Sequence, residues 1–184
     1  MRNLIIITGD LASGKSTLAN SLSDALSIPC LIKDHLKEIA CDAIGYSNRE
    51  ENRNLSVSAV NSMIYFFKQI AKTNGNLILE ANFRHEEIAA IKEIVDEYDY
   101  QVLLIRLKGD INLLYQRFLD RLATRHIAHK SLKLDDSIDK FASYIDEIRK
   151  EDMIYPSFDI DMSELDEDEV VEKALELIHE ELGI

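Results

Sequence analysis

The sequence predicts an α/β fold in which a parallel sheet is covered by helices on both faces. Two observations carry that prediction. Short apolar runs of strand length alternate with longer stretches whose apolar residues recur at helical spacing, the pattern of βαβ crossovers. The runs are rich in β-branched residues and nearly uninterrupted, as expected for strands buried on both sides. A third feature puts chemistry on that frame. The first run opens into a glycine-punctuated octapeptide, Gly9-Asp10-Leu11-Ala12-Ser13-Gly14-Lys15-Ser16, followed by Thr17.

Leu4-Ile5-Ile6-Ile7-Thr8 predicts the first buried strand, ended by a glycine. Leu18, Leu22, Ala25 and Leu26 then mark a helix starting at about Gly14. The segment between them matches G-x-x-x-x-G-K-[ST], the Walker A phosphate-binding loop, in the strand, turn and helix setting that the motif requires. The physical basis is electrostatic. Gly9 and Gly14 can take backbone angles closed to other residues. The main-chain amides of the loop then form an anion-binding nest, backed by the positive end of the helix dipole. Lys15 supplies a mobile cation for the β- and γ-phosphates, and the Ser16 hydroxyl a ligand for Mg²⁺. The stretch from Gly9 to Thr17 is therefore expected to bind a nucleoside triphosphate.

Ile28-Pro29 breaks the helical pattern and Cys30-Leu31-Ile32 predicts the second strand. Lys33-Asp34-His35 follows, ahead of a helix through Leu36, Ile39 and Ala43. Asp34 fits two roles: an N-cap, and a carboxylate on the rim where open α/β sheets bind ligands. Beyond Gly45-Tyr46-Ser47-Asn48 a long helix is predicted over about 51–72, with Leu55, Val60, Ile64, Phe67 and Ile70 on its apolar face. Thr73-Asn74-Gly75-Asn76 closes it.

The third strand, Leu77-Ile78-Leu79, delivers Glu80-Ala81-Asn82-Phe83-Arg84. One reading makes Asn82 a helix cap and Arg84 a solvated first-turn residue, since Ile88, Ile91 and Ile94 mark a helix next. The other sets Glu80 near a metal or nucleophile and has Asn82 and Arg84 contact an acceptor substrate. Tyr100-Gln101-Val102-Leu103-Leu104-Ile105 is the fourth strand. Asp110 can cap a helix carrying Leu113, Leu114, Phe118 and Leu122, on which Arg117, Arg121 and Arg125 share one side at four-residue spacing. His126 and His129 follow. Between Arg106 and Lys133 the only acidic residues are Asp110 and Asp120, while Lys108, Lys130 and Lys133 add to the arginines. Such a cationic stretch in an acidic chain suits forked contacts to phosphate oxygens. A further helix runs through Phe141, Ile145 and Ile148, and Pro156 precedes a last strand, Ser157-Phe158-Asp159-Ile160. The final helix is expected near Asp166, with Glu169 completing a capping box.

A chain of 184 residues with 46% apolar residues and two prolines fits one domain, 1–184, with a substantial core. The net charge of −13 argues against a nucleic-acid footprint and against anionic membranes. Cys30 and Cys41 lack metal-type spacing and are expected as free thiols, which suits a reducing cytoplasm. No apolar run approaches the ~20 residues that span a bilayer, and the first is too short for a secretory signal.

Together, Gly9 to Thr17, Lys33-Asp34, Leu79-Glu80-Ala81-Asn82-Phe83 and the run Arg117, Arg121, Arg125-His126, His129 resemble the P-loop small-molecule kinases. That group, the AAA-type kinase family, includes gluconate kinases and chloramphenicol phosphotransferase. The resemblance implies a three-layer P-loop NTPase fold with a five-stranded parallel sheet. It also implies a helical substrate-binding region, about 45–72 here, and a mobile arginine-bearing lid, about 115–133. It implies ATP and Mg²⁺ as cofactors and a small molecule as phosphoryl acceptor. Lys15, Arg117, Arg121 and Arg125 would act on the phosphates, Asp34 would orient or deprotonate the acceptor hydroxyl, and His35, Glu80, Asn82 and Arg84 would line the acceptor site. One departure is plain: the third strand ends in Glu80, not in an unambiguous Walker B aspartate.

Two other functions fit the same loop. A nucleoside or nucleoside-monophosphate kinase would want basic residues such as Arg49, Arg53 and Arg84 about its acceptor. A nucleotide-dependent switch would hydrolyse ATP slowly whatever small molecule is added.

Overall fold

The computed structural model describes residues 2–130 and 134–184. Its centre is a five-stranded, all-parallel sheet in the order β2-β3-β1-β4-β5, formed by β1 (Arg2–Gly9), β2 (Cys30–Ile32), β3 (Leu77–Glu80), β4 (Tyr100–Lys108) and β5 (Ser157–Asp161). The strands alternate with helices α1 (Lys15–Leu26), α2 (Lys33–Ile44), α3 (Arg49–Ala71), α4 (His85–Tyr98), α5 (Ile111–Arg121), α6 (Ile138–Lys150) and α7 (Glu167–Leu182). β1 lies between β3 and β4, with Ile7 opposite both Glu80 and Ile105. Its carboxyl end is therefore where the chain switches sides of the sheet, the place where such folds open a crevice.

Alternation along the strands divides the core. Ile5, Ile7, Leu103, Ile105 and Leu107 face one way and pack with Leu18 and Leu22 of α1, Phe118 of α5, Phe141 of α6 and Ala174 of α7. Leu4, Ile6, Leu77, Leu79 and Leu104 face the other way, against Met63 and Phe67 of α3 and Ile88 and Ile91 of α4. The apolar strands are thus sandwiched between two helical layers, which explains why they carry no polar alternation.

Helix ends follow local chemistry. Asp110 accepts from the amides of Asn112 and Leu113, and Asp166 and Glu169 form the reciprocal capping box expected at α7. Asp34 departs from its capping role: α2 begins at Lys33 behind Ile32, so Asp34 lies within the first turn. Asn82 caps nothing either, because α4 begins three residues later, with the Arg84 amide bound to the Glu87 carboxylate. Among the described residues no helix is long and apolar enough to cross a membrane.

Candidate active site

The loop between β1 and α1 owes its shape to two glycines and one strained alanine. Gly9 has φ 126°, and a Cβ there would lie 2.1 Å from the Leu107 carbonyl oxygen, so only glycine lets β1 leave the sheet at this point. Gly14, at φ 89°, is the N-cap of α1. Ala12 takes φ 65°, a left-handed conformation that costs a non-glycine residue about 1–2 kcal/mol.

Asp10 does not present its side chain to the cleft. It is 0% exposed. Its carboxylate accepts from Arg149 Nε at 3.0 Å, from a terminal nitrogen of the same guanidinium, and from the Gly109 amide at 3.1 Å. Arg149 also donates to the Gly109 carbonyl at 3.0 Å. The hydrogen bonds satisfy the buried charge and pull its guanidinium partner's acidity down further. What Asp10 offers the loop is its carbonyl, which accepts from Lys15 Nζ at 2.6 Å and from Ser13 Oγ at 2.8 Å. Nothing in the local sequence signalled this anchor, because Arg149 lies 139 residues away on α6.

A cleft of about 500 Å³ opens above the loop. Lys15, Ser16 and Thr17 line one side, Asp34, His35 and Glu38 of α2 another, and Glu80 the base. Ser16 Oγ donates to Glu80 Oε2 at 3.0 Å. Burial raises the Glu80 pKa, and the nearby Lys15 cation opposes that rise. Burial likewise lowers the Lys15 pKa, against the pull of Glu80, Asp34 and Asp10. The two residues thus stabilise each other's charged forms. Ser16 and Glu80 bring two hard oxygen donors together, a set that suits Mg²⁺. Asp34, with 57% of its side chain exposed, stands open to the same cleft.

The cationic stretch separates into two parts. α5 stops at Arg121, so the spacing that put Arg117, Arg121 and Arg125 on one helix face does not extend to Arg125. Arg125 instead folds back over the Phe118 ring, 5.2 Å from its centroid, and lines the cleft with Arg121, Thr124, His126 and His129. Arg117 lies elsewhere, in a small recess behind the loop, with Ser13, Gly14, Thr17, Met162 and Val170. Lys133, the far end of the expected lid, is outside the described residues.

The segment after Arg125 forms the cleft's roof and is fastened to α2 and α3. His126 Nε2 lies 3.0 Å from Asp42, and His129 Nε2 lies 2.9 Å from Glu38. His129 Nδ1 is also 3.9 Å from Asp34. The buried Lys37 donates to the Ala128 carbonyl at 2.8 Å and to Asn52 at 2.9 Å, and Tyr46 donates to the Ile127 carbonyl at 2.8 Å. Burial lowers the His129 pKa, against Asp34 and the hydrogen bond to Glu38. A sequence signal for this fastening exists: Asp34, Glu38 and Asp42 recur every four residues along α2, opposite the two histidines.

Asn82 and Arg84 are not brought into this cleft. They line an adjoining cavity of about 170 Å³ at the carboxyl ends of β1 and β4, with Arg106, Tyr144, Glu147 and Glu151. Asn82 accepts from the Gly9 amide at 3.3 Å and from Thr8 Oγ1 at 3.4 Å, so it braces the start of the loop. Burial raises the Tyr144 pKa, and the Asp34 carboxylate raises it further, which sets Tyr144 near the boundary of the two spaces. Arg49 and Arg53 are exposed on the first turns of α3.

No protein-family model matches the chain, and no curated protein matches it. Solved structures do. A provisionally assigned kinase from Chloroflexus aurantiacus superposes with a TM-score of 0.78 at 25% identity, over 95% of this chain and 97% of that one. A gluconokinase from Sinorhizobium meliloti gives 0.63 at 14% identity, over 100% and 97%. A shikimate kinase from Bacteroides thetaiotaomicron gives 0.62 at 16% identity, over 99% and 99%. The likeness read from the motifs is matched by the architecture: this chain has the fold of the P-loop small-molecule kinases, of the gluconate kinase type.

Proposed function

We propose that the protein is an ATP-dependent small-molecule kinase, transferring the γ-phosphoryl group to a hydroxyl of its acceptor. The observation that carries this reading is a single cleft that gathers Lys15, Ser16, Glu80, Asp34, Arg121 and Arg125 around the mouth of the Gly9–Ser16 loop. The loop amides and Lys15 hold the β- and γ-phosphates. Before ATP arrives, Lys15 is held at the Asp10 carbonyl, within the loop it serves. Ser16 and Glu80 would hold Mg²⁺, which supplies charge neutralisation on the phosphate oxygens. Arg121 and Arg125 face the developing charge, where an arginine is worth about a thousandfold or more in rate.

Asp34 accepts the proton of the attacking hydroxyl or orients it, and its open position leaves room for an acceptor. Arg117 sits in the small recess behind the loop, its guanidinium 3.8 Å from the Met162 sulfur, apart from Arg121 and Arg125 in the cleft. The fastened roof excludes water, the competing acceptor. The similar structures, a gluconokinase and a shikimate kinase among them, support the reaction class. Arg49 and Arg53 are not among the cleft-lining residues, which favours a non-nucleotide acceptor.

The test is coupled ADP release from ATP and Mg²⁺ with pooled sugars, nucleosides, antibiotics and cofactor precursors. Stimulation by one pool, lost in Lys15→Ala, supports the reading. Slow release that no pool alters supports the switch.

A further inference from the structure

We infer that the acceptor carries no negative charge, and that the protein serves uncharged or amine-bearing polyols in preference to sugar acids and nucleotides. This rests on the kinase reading above and deepens it. Lys15, Arg121 and Arg125 line the same cleft at the mouth of the loop. A triphosphate seated in the loop takes up all three.

What remains for the acceptor is acidic. Asp34 stands open, and Glu38 lies one turn along α2 on the same wall. His129 between them is buried with a lowered pKa, which keeps its imidazole neutral near pH 7, so it does not cancel the two carboxylates. Of the two lysines on α2, the buried Lys37 is spent on the Ala128 carbonyl and Asn52, and Lys33 is not among the residues that line the cleft. The adjoining cavity does not reverse the balance. Arg106 there is tied to Asp159 at 2.8 Å, and Arg84 shares the cavity lining with the two carboxylates of Glu147 and Glu151. A carboxylate or phosphate on the acceptor would lose its hydration and meet like charge in either space. A hydroxyl finds acceptors in Asp34 and Glu38, and an ammonium gains their charge.

The experiment measures kcat/KM by coupled ADP release, with the full chain, for charge-graded sets: gluconate, glucose and glucosamine, then a nucleoside and its monophosphate, then an aminoglycoside. The uncharged or amine-bearing members are expected to lead. Glu38→Gln, which keeps an amide oxygen for His129, should cut the advantage of amine-bearing over uncharged acceptors by about fivefold, the size of one partly screened charge pair. A sugar acid or nucleotide as the best acceptor overturns this inference and leaves the kinase reading standing. So does an amine advantage that Glu38→Gln leaves unchanged. Silence across every set, with ATP still bound, overturns the kinase reading and the inference with it.

Discussion

Arg149 is the residue whose removal tests the construction of the loop most sharply. Asp10 is 0% exposed, and Arg149 supplies two of the three donors to its carboxylate. Arg149→Ala leaves a buried carboxylate with the Gly109 amide alone. Breaking a fully buried pair costs about 3–5 kcal/mol. Here 31% of the Arg149 side chain is exposed, so water can enter the vacated space, and the expected loss is nearer ~2–3 kcal/mol. For a chain of this size that is a fall in melting temperature of roughly 5–10 °C. Asp10→Asn removes the charge that needs compensation, so the double variant should be more stable than the sum of the single losses predicts, by about 1–2 kcal/mol. Urea melts of the four proteins measure the cycle. Because Asp10 also holds Lys15 through its carbonyl, Arg149→Ala should weaken ATP binding as well, a readout that a remote packing defect would leave alone. Additive single losses, or a loss under about 1 kcal/mol, would refute the reasoning.

Other variants probe separate parts of the account. Gly9→Ala forces a Cβ to within 2.1 Å of the Leu107 carbonyl at a positive φ, and should cost about 3 kcal/mol or more or yield insoluble protein, read by denaturant melts. Asp34→Asn should lower phosphoryl transfer by about 10²–10⁴-fold while ATP binding, read by calorimetry, is retained; full activity would remove Asp34 from the chemistry. His129 has its pKa held below the ordinary 6.5 by burial, so its stabilisation is present above that value and is lost as pH falls through the folded-state pKa. Urea midpoints taken from pH 7.5 down to pH 5 should therefore fall less steeply in His129→Gln than in the wild type, and equal slopes would contradict the burial argument.

Much of the fold was legible because its causes are local. Apolar runs interrupted by proline, glycine and asparagine placed β2 and β3 to within a residue, and Asp110 and Asp166 announced their helices by cap chemistry. The loop was legible for the same reason, since its glycines, lysine and serine are consecutive. The roof was only half legible. Spacing alone carried Arg125 onto a helix that ends four residues earlier, because periodicity does not register where a helix stops without a glycine or proline to mark it. Arg117 shared the spacing of Arg121 yet faces the recess behind the loop, since the arc between them spans two spaces of different character. Arg149 and Lys37 were invisible. Their partners, Asp10 and Ala128, lie 139 and 91 residues away, and only the closed fold brings them together.

The central claim is that the cleft passes a phosphoryl group from ATP to another molecule's hydroxyl. Following the label of γ-³²P ATP tests it most directly, in the presence of the small molecule that most stimulates ADP release. The label is expected to leave ATP in step with ADP and to be recovered covalently on that molecule. Label recovered only as inorganic phosphate, at a rate indifferent to every added compound, would contradict it.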